Sequence, residues 1–149
     1  MKLATLDDYE DIIKIFYENR SIFPHIRTDY LKRMIESKKC FYKDGVVITF
    51  NQYKRTNKIG DVYANKNSYT IKQIVNKHKG NGKAAEILKE FLQSVQQPVY
   101  LSVRADNVRA NSFYKKMNFE LVGTINWKNG TIPGHVYLYS ETTPRISTK

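Results

Sequence analysis

Apolar residues recur along this chain at two spacings, and each spacing predicts one kind of secondary structure. A spacing of three and four residues predicts two helices near the start of the chain. The first follows a cap at Asp7 or Asp8 and ends near Asn19, and the second is capped by Thr28. The third helix carries the longest apolar stripe, and a fourth is predicted at 107–117. The stripe consists of Ile87, Leu88, Phe91, Leu92 and Val95.

Shorter runs that are rich in β-branched and aromatic residues predict strands. A short first strand is expected at 2–5, followed by a hairpin at 41–50 that turns at Asp44-Gly45. The polar stretch 55–58 is predicted to be a turn. The remaining strands are predicted at 61–63, 69–75, 99–104, 119–127 and 135–140, of which the first two are either one interrupted strand or two pieces.

A segment with two glycines, Lys79-Gly80-Asn81-Gly82-Lys83-Ala84, joins the strand at 69–75 to the third helix. Glycines let the backbone approach a ligand closely, and the helix behind them offers unpaired N–H groups and the positive end of its dipole. Such a junction predicts an anion site, most often for phosphate, and the alternative is a turn that binds nothing.

Three phosphate-binding patterns compete for this segment. A Walker loop is excluded, because Lys77 stands where its first glycine belongs and Ala84 where Ser or Thr belongs. A dinucleotide fingerprint needs an acid at the end of the next strand, which ends in Val103-Arg104 instead. The acyl-CoA loop has a basic residue or Gln followed by x, x, Gly, x and Gly or Ala. Lys79 to Ala84 matches that spacing.

A second segment, 106–119, decides between these patterns. It resembles the Asn-x-x-Ala-x-x-Phe-Tyr-x-Lys-x-Gly-Phe segment of the GCN5-related N-acetyltransferases (GNAT). Asn118 replaces the usual Gly, which is a mild change because Asn is next best at a left-handed helix end. The resemblance extends over 61–139. The residues in register are Asn107, Ala110, Phe113, Tyr114, Lys116 and Phe119.

The resemblance implies an α/β (α+β) fold in which a mixed central sheet of six or seven strands is flanked by four helices. Residues 1–149 are expected to form a single domain, with 141–149 as a frayed tail. The resemblance also implies an N-acetyltransferase that uses acetyl-CoA, without a metal, to acetylate a primary amine of a small molecule or peptide. The predicted cofactor-binding residues are Gln73, Ile74, Val75, Lys79, Gly80, Asn81, Gly82, Lys83, Ala84, Asn107 and Asn111.

Tyr114 matches the tyrosine that acts as general acid in many members of the family. A phenol with a pKa of about 10 is protonated at neutral pH and can donate to a thiolate. The alternative is a tyrosine that only fills the space between strands. Asn107 matches an Asn that contacts CoA, and it is also a good N-cap for its helix.

The general base is left open, because Ser102 stands where some relatives place Glu. The candidates elsewhere are Asp61, His25, His135 and a chain of water molecules, histidine being suited by its pKa of about 6.5. His25 lies between the first two helices, where this family usually forms its acceptor site. Arg27 beside it could hold an acidic acceptor.

Two alternatives to this function remain open. The 25 Lys and Arg residues against 14 Asp and Glu give a net charge of +11, which keeps nucleic acid open as an acceptor or ligand. The other alternative is a CoA-binding protein without turnover.

The single Cys40 excludes an internal disulfide and is expected to be a buried thiol. Without an apolar run long enough for a membrane span, a cytoplasmic monomer or homodimer is expected.

Overall fold

The structure, a computed structural model, describes residues 2–20, 26–78 and 80–140. Within these ranges the helices are α1 (Tyr9–Glu18), α2 (Thr28–Glu36), α3 (Lys83–Val95) and α4 (Val108–Lys116). The strands are β1 (Cys40–Lys43), β2 (Val46–Gln52), β3 (Asn57–Ile59), β4 (Val62–Ala64), β5 (Tyr69–Asn76), β6 (Val99–Arg104), β7 (Glu120–Trp127) and β8 (Ile132–Tyr139). None of the helices in the described ranges is long and apolar enough to cross a membrane.

Six of the strands form a mixed sheet in the order β1-β2-β5-β6-β8-β7, while β3 and β4 pair in a separate two-stranded sheet. Strand β5 runs parallel to β6, which requires the long connection that α3 supplies. The pairs β1–β2, β6–β8 and β8–β7 are antiparallel. A six-stranded mixed sheet with four α-helices confirms the predicted fold class.

The chain divides into two compact units, the first of which contains Met1–Asn51 and Ile71–Val95. In this unit, α3 packs Phe91 against Phe41 of β1 and Phe50 of β2, with ring centroids 6.0 and 5.0 Å apart. Each buried side chain of this size contributes about 1.5–3 kcal/mol, so the packing fixes the direction of α3. Helices α1 and α2 share a second cluster, formed by Ile12, Ile15, Phe16, Leu31, Met34, Ile35, Cys40, Val47 and Val75.

The second unit contains Gln52–Thr70 and Gln96–Lys149. Here the β3–β4 hairpin lies against β7, and the Asp61 N–H donates to the Thr124 carbonyl at 3.0 Å. This close approach requires two glycines. A Cβ at Gly60 would overlap the Thr124 carbonyl oxygen, and one at Gly123 would overlap the side chain of Val62.

Two backbone predictions and one burial prediction are confirmed. Asp44 and Gly45 have φ angles of 50° and 82°, the left-handed values that a tight hairpin turn requires. Asn118 ends α4 with a φ of 68°, as expected for a residue that replaces glycine. The Cys40 thiol is buried, and burial raises its pKa to about 12.

Three predictions near the chain start need correction. Residues 2–5 form only a single bridge, in which Leu3 pairs with Phe41, because too few residues face β1 to build a ladder. Asp8 precedes α1 as predicted, but its carboxylate accepts from the Thr5 N–H at 2.9 Å, on the other side of a 3-10 turn at Leu6–Asp8. Thr28 is the first residue of α2 and does not cap it, because the preceding residue occupies the cap position without a side-chain bond.

Two strand boundaries also differ from the prediction. The polar stretch predicted as a turn contains the start of β3, whose exposed residues show no alternation that would mark a strand. Strand β8 begins at Ile132, three residues earlier than predicted, because the tight turn uses only Lys128, Asn129 and Gly130, with φ angles of 50°, 57° and 84°. The predicted tail, 141–149, lies outside the described residues.

Candidate functional site

The glycine segment leaves open space on one side of its backbone. Gly80 and Gly82 have φ angles of 79° and 76°, and a Cβ built on either would meet no atom within 4 Å. Lys79, predicted to begin the cofactor loop, lies outside the described residues. The conformation is one that side chains rarely adopt, so glycine is required here for the backbone path and not for packing.

The start of α3 has some of its donors engaged and others free. The Asn81 Oδ1 accepts from the Lys83 N–H at 3.0 Å and from the Asn76 Nδ2 at 3.1 Å. The next two N–H groups, those of Ala84 and Ala85, have no acceptor among the described residues. The Lys83 ammonium lies 3.3 Å from Glu86 Oε2 and 3.8 Å from Asp44 Oδ2. The groups that the predicted anion site could offer are therefore mainly backbone N–H groups, since the Lys83 charge is shared with two carboxylates.

Strand β5 leads into this loop through Gln73, Ile74 and Val75, the residues predicted to lie along the cofactor. Val75 is buried in the cluster beneath α1 and α2, whereas Gln73 and Ile74 are half-buried. The Thr49 hydroxyl donates to the Gln73 Oε1 at 3.1 Å, and the Gln73 NH₂ group has no partner among the described residues. Gln73 therefore offers a side-chain donor as well as the backbone groups that the sequence indicated.

A cavity of about 310 Å³ lies in the first unit between α1, α2 and β5. Arg27 and Lys72 bring two positive charges to its lining, and Tyr30 and Gln73 bring polar groups. The Arg27 guanidinium lies over the ring of Tyr30, 5.3 Å from its centre. His25, which was predicted beside Arg27 as an acceptor residue, lies outside the described residues. The apolar lining is Phe16, Ile26 and Leu31.

In the second unit, Asn111 connects α4 to the strands beneath it. Its Nδ2 donates to the carbonyl oxygens of Asn107 at 2.8 Å and Arg104 at 3.0 Å. Its Oδ1 accepts from the Tyr137 hydroxyl at 2.6 Å and lies 2.9 Å from the His135 Nδ1. Every polar atom of the Asn111 amide is therefore used inside the protein. Both N–H bonds of the side chain are engaged, and a contact between Asn111 and the cofactor stays a prediction.

The Asn111 amide also determines which nitrogen of His135 carries the proton. Two carbonyl acceptors on one side of the amide require Nδ2 there, so Oδ1 must face Tyr137 and His135. An oxygen at 2.9 Å can only accept, so the His135 Nδ1 must donate. The Nε2 of a neutral His135 then carries a free lone pair, as a proton acceptor requires.

Asn107 and Tyr114, both on α4, have different surroundings. The Asn107 Oδ1 accepts from the Ala110 N–H at 3.1 Å, which is the N-cap bond considered from the sequence, and its Nδ2 has no partner among the described residues. The Tyr114 ring packs near Phe119 and Tyr137, with centroids 5.6 and 6.2 Å away. Its hydroxyl has no hydrogen bond in the described part of the chain, and burial raises the pKa of Tyr114 to about 12.

Known proteins match this chain in structure but not in sequence. No protein-family model matches the sequence, and no curated protein does. An acetyltransferase of the GNAT family from Streptococcus agalactiae superposes with a TM-score of 0.77 at 12% identity, covering 94% of each chain. The chain has the GNAT acetyltransferase fold.

Two plant structures share this GNAT fold and were determined with ligands. Arabidopsis thaliana NAA60, in complex with acetyl-CoA, superposes with a TM-score of 0.65 at 18% identity, over 93% of this chain and 97% of its own. Arabidopsis thaliana Naa50, in complex with the bisubstrate analogue CoA-Ac-MVNAL, superposes with a TM-score of 0.66 at 20% identity, over 93% and 96%. The GNAT fold indicated by the two sequence segments is therefore confirmed.

Among the candidate bases of this GNAT fold, Asp61 is already engaged. Its Oδ1 accepts from the Thr124 N–H at 2.8 Å and its Oδ2 from the Thr124 hydroxyl at 3.1 Å. These bonds, the backbone N–H first, lower the pKa of Asp61. The structure thus places Asp61 in the contact between the β3–β4 hairpin and β7, where its lowered pKa makes it a weaker base than an ordinary carboxylate. Ser102 is exposed on β6.

The sequence did not single out three residues of this site. Tyr30 and Lys72 line the cavity, and Tyr137 bonds to Asn111. The alternation of residues along β5 could have indicated which of its side chains face the cavity. No sequence pattern predicts a hydrogen bond between a helix residue and a strand residue such as Asn111 and Tyr137. The described residues contain no cluster of three or more His, Cys, Asp or Glu that could hold a metal ion.

Proposed function

We propose that this protein is an acetyl-CoA-dependent N-acetyltransferase that acetylates a primary amine. The observation that carries the proposal is the open glycine loop at the start of α3. Gly80 and Gly82 leave room beside the backbone, and the N–H groups of Ala84 and Ala85 follow at the positive end of the helix. This arrangement fits a pyrophosphate, which needs close backbone approach and N–H donors. NAA60 and Naa50, which share the fold, were determined with acetyl-CoA and with a CoA bisubstrate analogue, which supports the proposal.

Acetyl-CoA supplies a thioester whose acetyl group passes to the amine. In the proposed arrangement, the loop at 79–84 holds the pyrophosphate, and the β5 backbone at 73–75 lies along the pantetheine arm. The free Nδ2 of Asn107 is a further donor for the cofactor. The residues thus bind and orient the thioester, mostly through backbone groups that a side-chain substitution does not remove.

Two side chains of the second unit are proposed to move protons. Tyr114 keeps its proton at neutral pH, because burial raises its pKa to about 12, and its hydroxyl is free to donate to the departing thiolate. His135 is proposed as the base that takes the proton of the amine through Nε2, since Asn111 holds the other ring nitrogen. Ser102 needs no role in this scheme.

Thermal unfolding with and without acetyl-CoA tests the cofactor site. A ligand at about 100 times its Kd adds about 2.7 kcal/mol, which should raise the Tm of a chain of this size by about 5–10 °C. Gly82→Glu should abolish the rise, because it places a carboxylate where the pyrophosphate binds.

Gly130→Glu is the matched control for this experiment. Gly130 has a φ of 84°, close to the 76° of Gly82, and its Cβ side is equally open, so both variants carry the same backbone strain and the same new charge. The control should lose stability but keep the response to acetyl-CoA. A response that survives in Gly82→Glu would contradict the proposed cofactor site.

A further inference from the structure

The cavity between α1, α2 and β5 carries two cations without anionic partners. Arg27 and Lys72 line it, and neither lies within 4.0 Å of a carboxylate of the described residues. Other cations of the same unit are paired, such as Lys43, whose Nζ lies 2.7 Å from Glu90 Oε1. No Asp or Glu of the described residues lines this cavity. Arg27 and Lys72 are both exposed, and their charges are available to an anion in this cavity.

The Arg27 side chain is also oriented. Its guanidinium lies over the Tyr30 ring, 5.3 Å from the ring centre, a cation–π arrangement that restricts the side chain while leaving its N–H groups available. A guanidinium presents a planar pair of donors that matches the two oxygens of a carboxylate. The free Gln73 NH₂ group adds an uncharged donor to the same cavity.

The size and the apolar lining of the cavity limit what it can hold. About 310 Å³ is at the lower end of the range for ligand pockets, which is roughly 300–1,000 Å³. Phe16, Ile26 and Leu31 give it an apolar wall. The cavity therefore suits a molecule of about the size of an amino acid or a dipeptide end, with an apolar part and an anionic part.

We propose that the acetyl acceptor is a small amine that also carries a carboxylate, and that Arg27 and Lys72 bind this carboxylate in the cavity. This inference rests on the proposed N-acetyltransferase function and names its substrate class. The carboxylate binds the two cations and Gln73, and the apolar part of the acceptor packs against the wall formed by Phe16 and Leu31. Binding by charge discriminates between acceptors, because an uncharged analogue leaves the two cations unpaired.

Matched pairs of amines test the inference directly. The probes are leucine with leucinamide and phenylalanine with phenylalaninamide, which differ only in the carboxylate. Transfer from acetyl-CoA is followed by the thiol that is released, with a thiol-reactive dye. The wild-type protein should use each acid with a kcat/KM about ten times or more that of its amide, as expected for hydrogen bonds to a charged group.

Charge-neutral variants then locate the preference. Arg27→Gln and Lys72→Gln should each raise the KM for the acids and leave the amides unchanged, because they remove a binding charge and no reacting group. Lys89→Gln is the matched control, since Lys89 is an exposed lysine on α3 and its loss changes the net charge by the same amount. It should behave as the wild type does.

The response of the Tm to acetyl-CoA keeps the two proposals separate. A normal response combined with equal use of acids and amides, or with no acetylation of any of the four probes, would overturn the carboxylate site and leave the cofactor site intact. Equal effects of Arg27→Gln and Lys89→Gln would also overturn it. An absent response to acetyl-CoA in the wild type would instead refute the proposed function.

Discussion

Replacing Asn111 with alanine should destabilise the protein more than an ordinary polar substitution does. The side chain is 8% exposed and makes contacts of 2.6–3.0 Å with four groups. Tyr137 is fully buried, so its hydroxyl would be left without an acceptor, at a cost of about 1–3 kcal/mol. The substitution also removes the two hydrogen bonds from the Asn111 Nδ2 to the carbonyl oxygens of Arg104 and Asn107, at about 0.5–1.5 kcal/mol each. We expect a total of about 2–6 kcal/mol.

Urea unfolding at neutral pH measures this loss, and a second substitution identifies its cause. Tyr137→Phe alone should cost about 1 kcal/mol, because it removes one buried hydrogen bond. In the Asn111→Ala background the same substitution should instead recover part of the loss, because the hydroxyl it removes is buried and already unpaired. Asn107→Ala, which removes the N-cap of the same helix, should cost about 1 kcal/mol and serves as the comparison. A cost below about 1 kcal/mol for Asn111→Ala would refute the reasoning.

Three further predictions follow from the site and its charges. Tyr114→Phe should lower kcat by about 10²–10⁴ with little change in acetyl-CoA affinity, and steady-state kinetics within about threefold of wild type would make Tyr114 a packing residue. The pKa of the Cys40 thiol is about 12 in the folded protein and 9.0 in its ordinary state. Between these two values the unfolded chain loses the thiol proton and the folded protein keeps it. The free energy of unfolding should therefore fall as the pH rises above about 9. The slope approaches about 1.4 kcal/mol per pH unit, and urea unfolding of Cys40→Ala should show it reduced, whereas an unchanged slope would contradict the assignment. Finally, duplex DNA should not bind at about 50 mM salt if the acceptor is small, whereas binding with a salt slope of several units would favour nucleic acid.

The fold could be predicted wherever the local sequence pattern of an element agrees with the way that element packs in the folded protein. The last residue of the predicted apolar stripe, Val95, is also the last residue of α3, and β6 occupies the predicted Val99–Arg104. Asn118 has the left-handed conformation that its place in the sequence segment indicated. In each case the residue types and their spacing favour one local backbone conformation, so contacts with residues far along the chain are not needed to predict it.

The sequence failed where the stabilising partner lies far along the chain. Strand β3 is polar and exposed, and only its pairing with β4 makes it a strand. Nothing in the sequence around Asp61 predicts its hydrogen bonds, because their donor, Thr124, lies 63 residues further along the chain. The cavity has the same origin, because Arg27 and Lys72 are brought together only by the packing of α1 and α2 on the sheet. A count of charges predicts that anions will be attracted but not where.

The choice among the candidate bases shows what hydrogen-bond partners add to pKa values. The sequence leaves Asp61 and His135 open as candidates, and only the ordinary pKa of histidine favours one of them. In the structure, both oxygens of Asp61 accept from Thr124, and these bonds lower the pKa of the carboxyl and make it a weaker base. His135 has one nitrogen held by Asn111 as a donor, which leaves the other nitrogen free to accept. Asn111, expected to contact the cofactor, thus determines the tautomer of its neighbour. A base is therefore identified by which of its atoms the fold leaves unpaired.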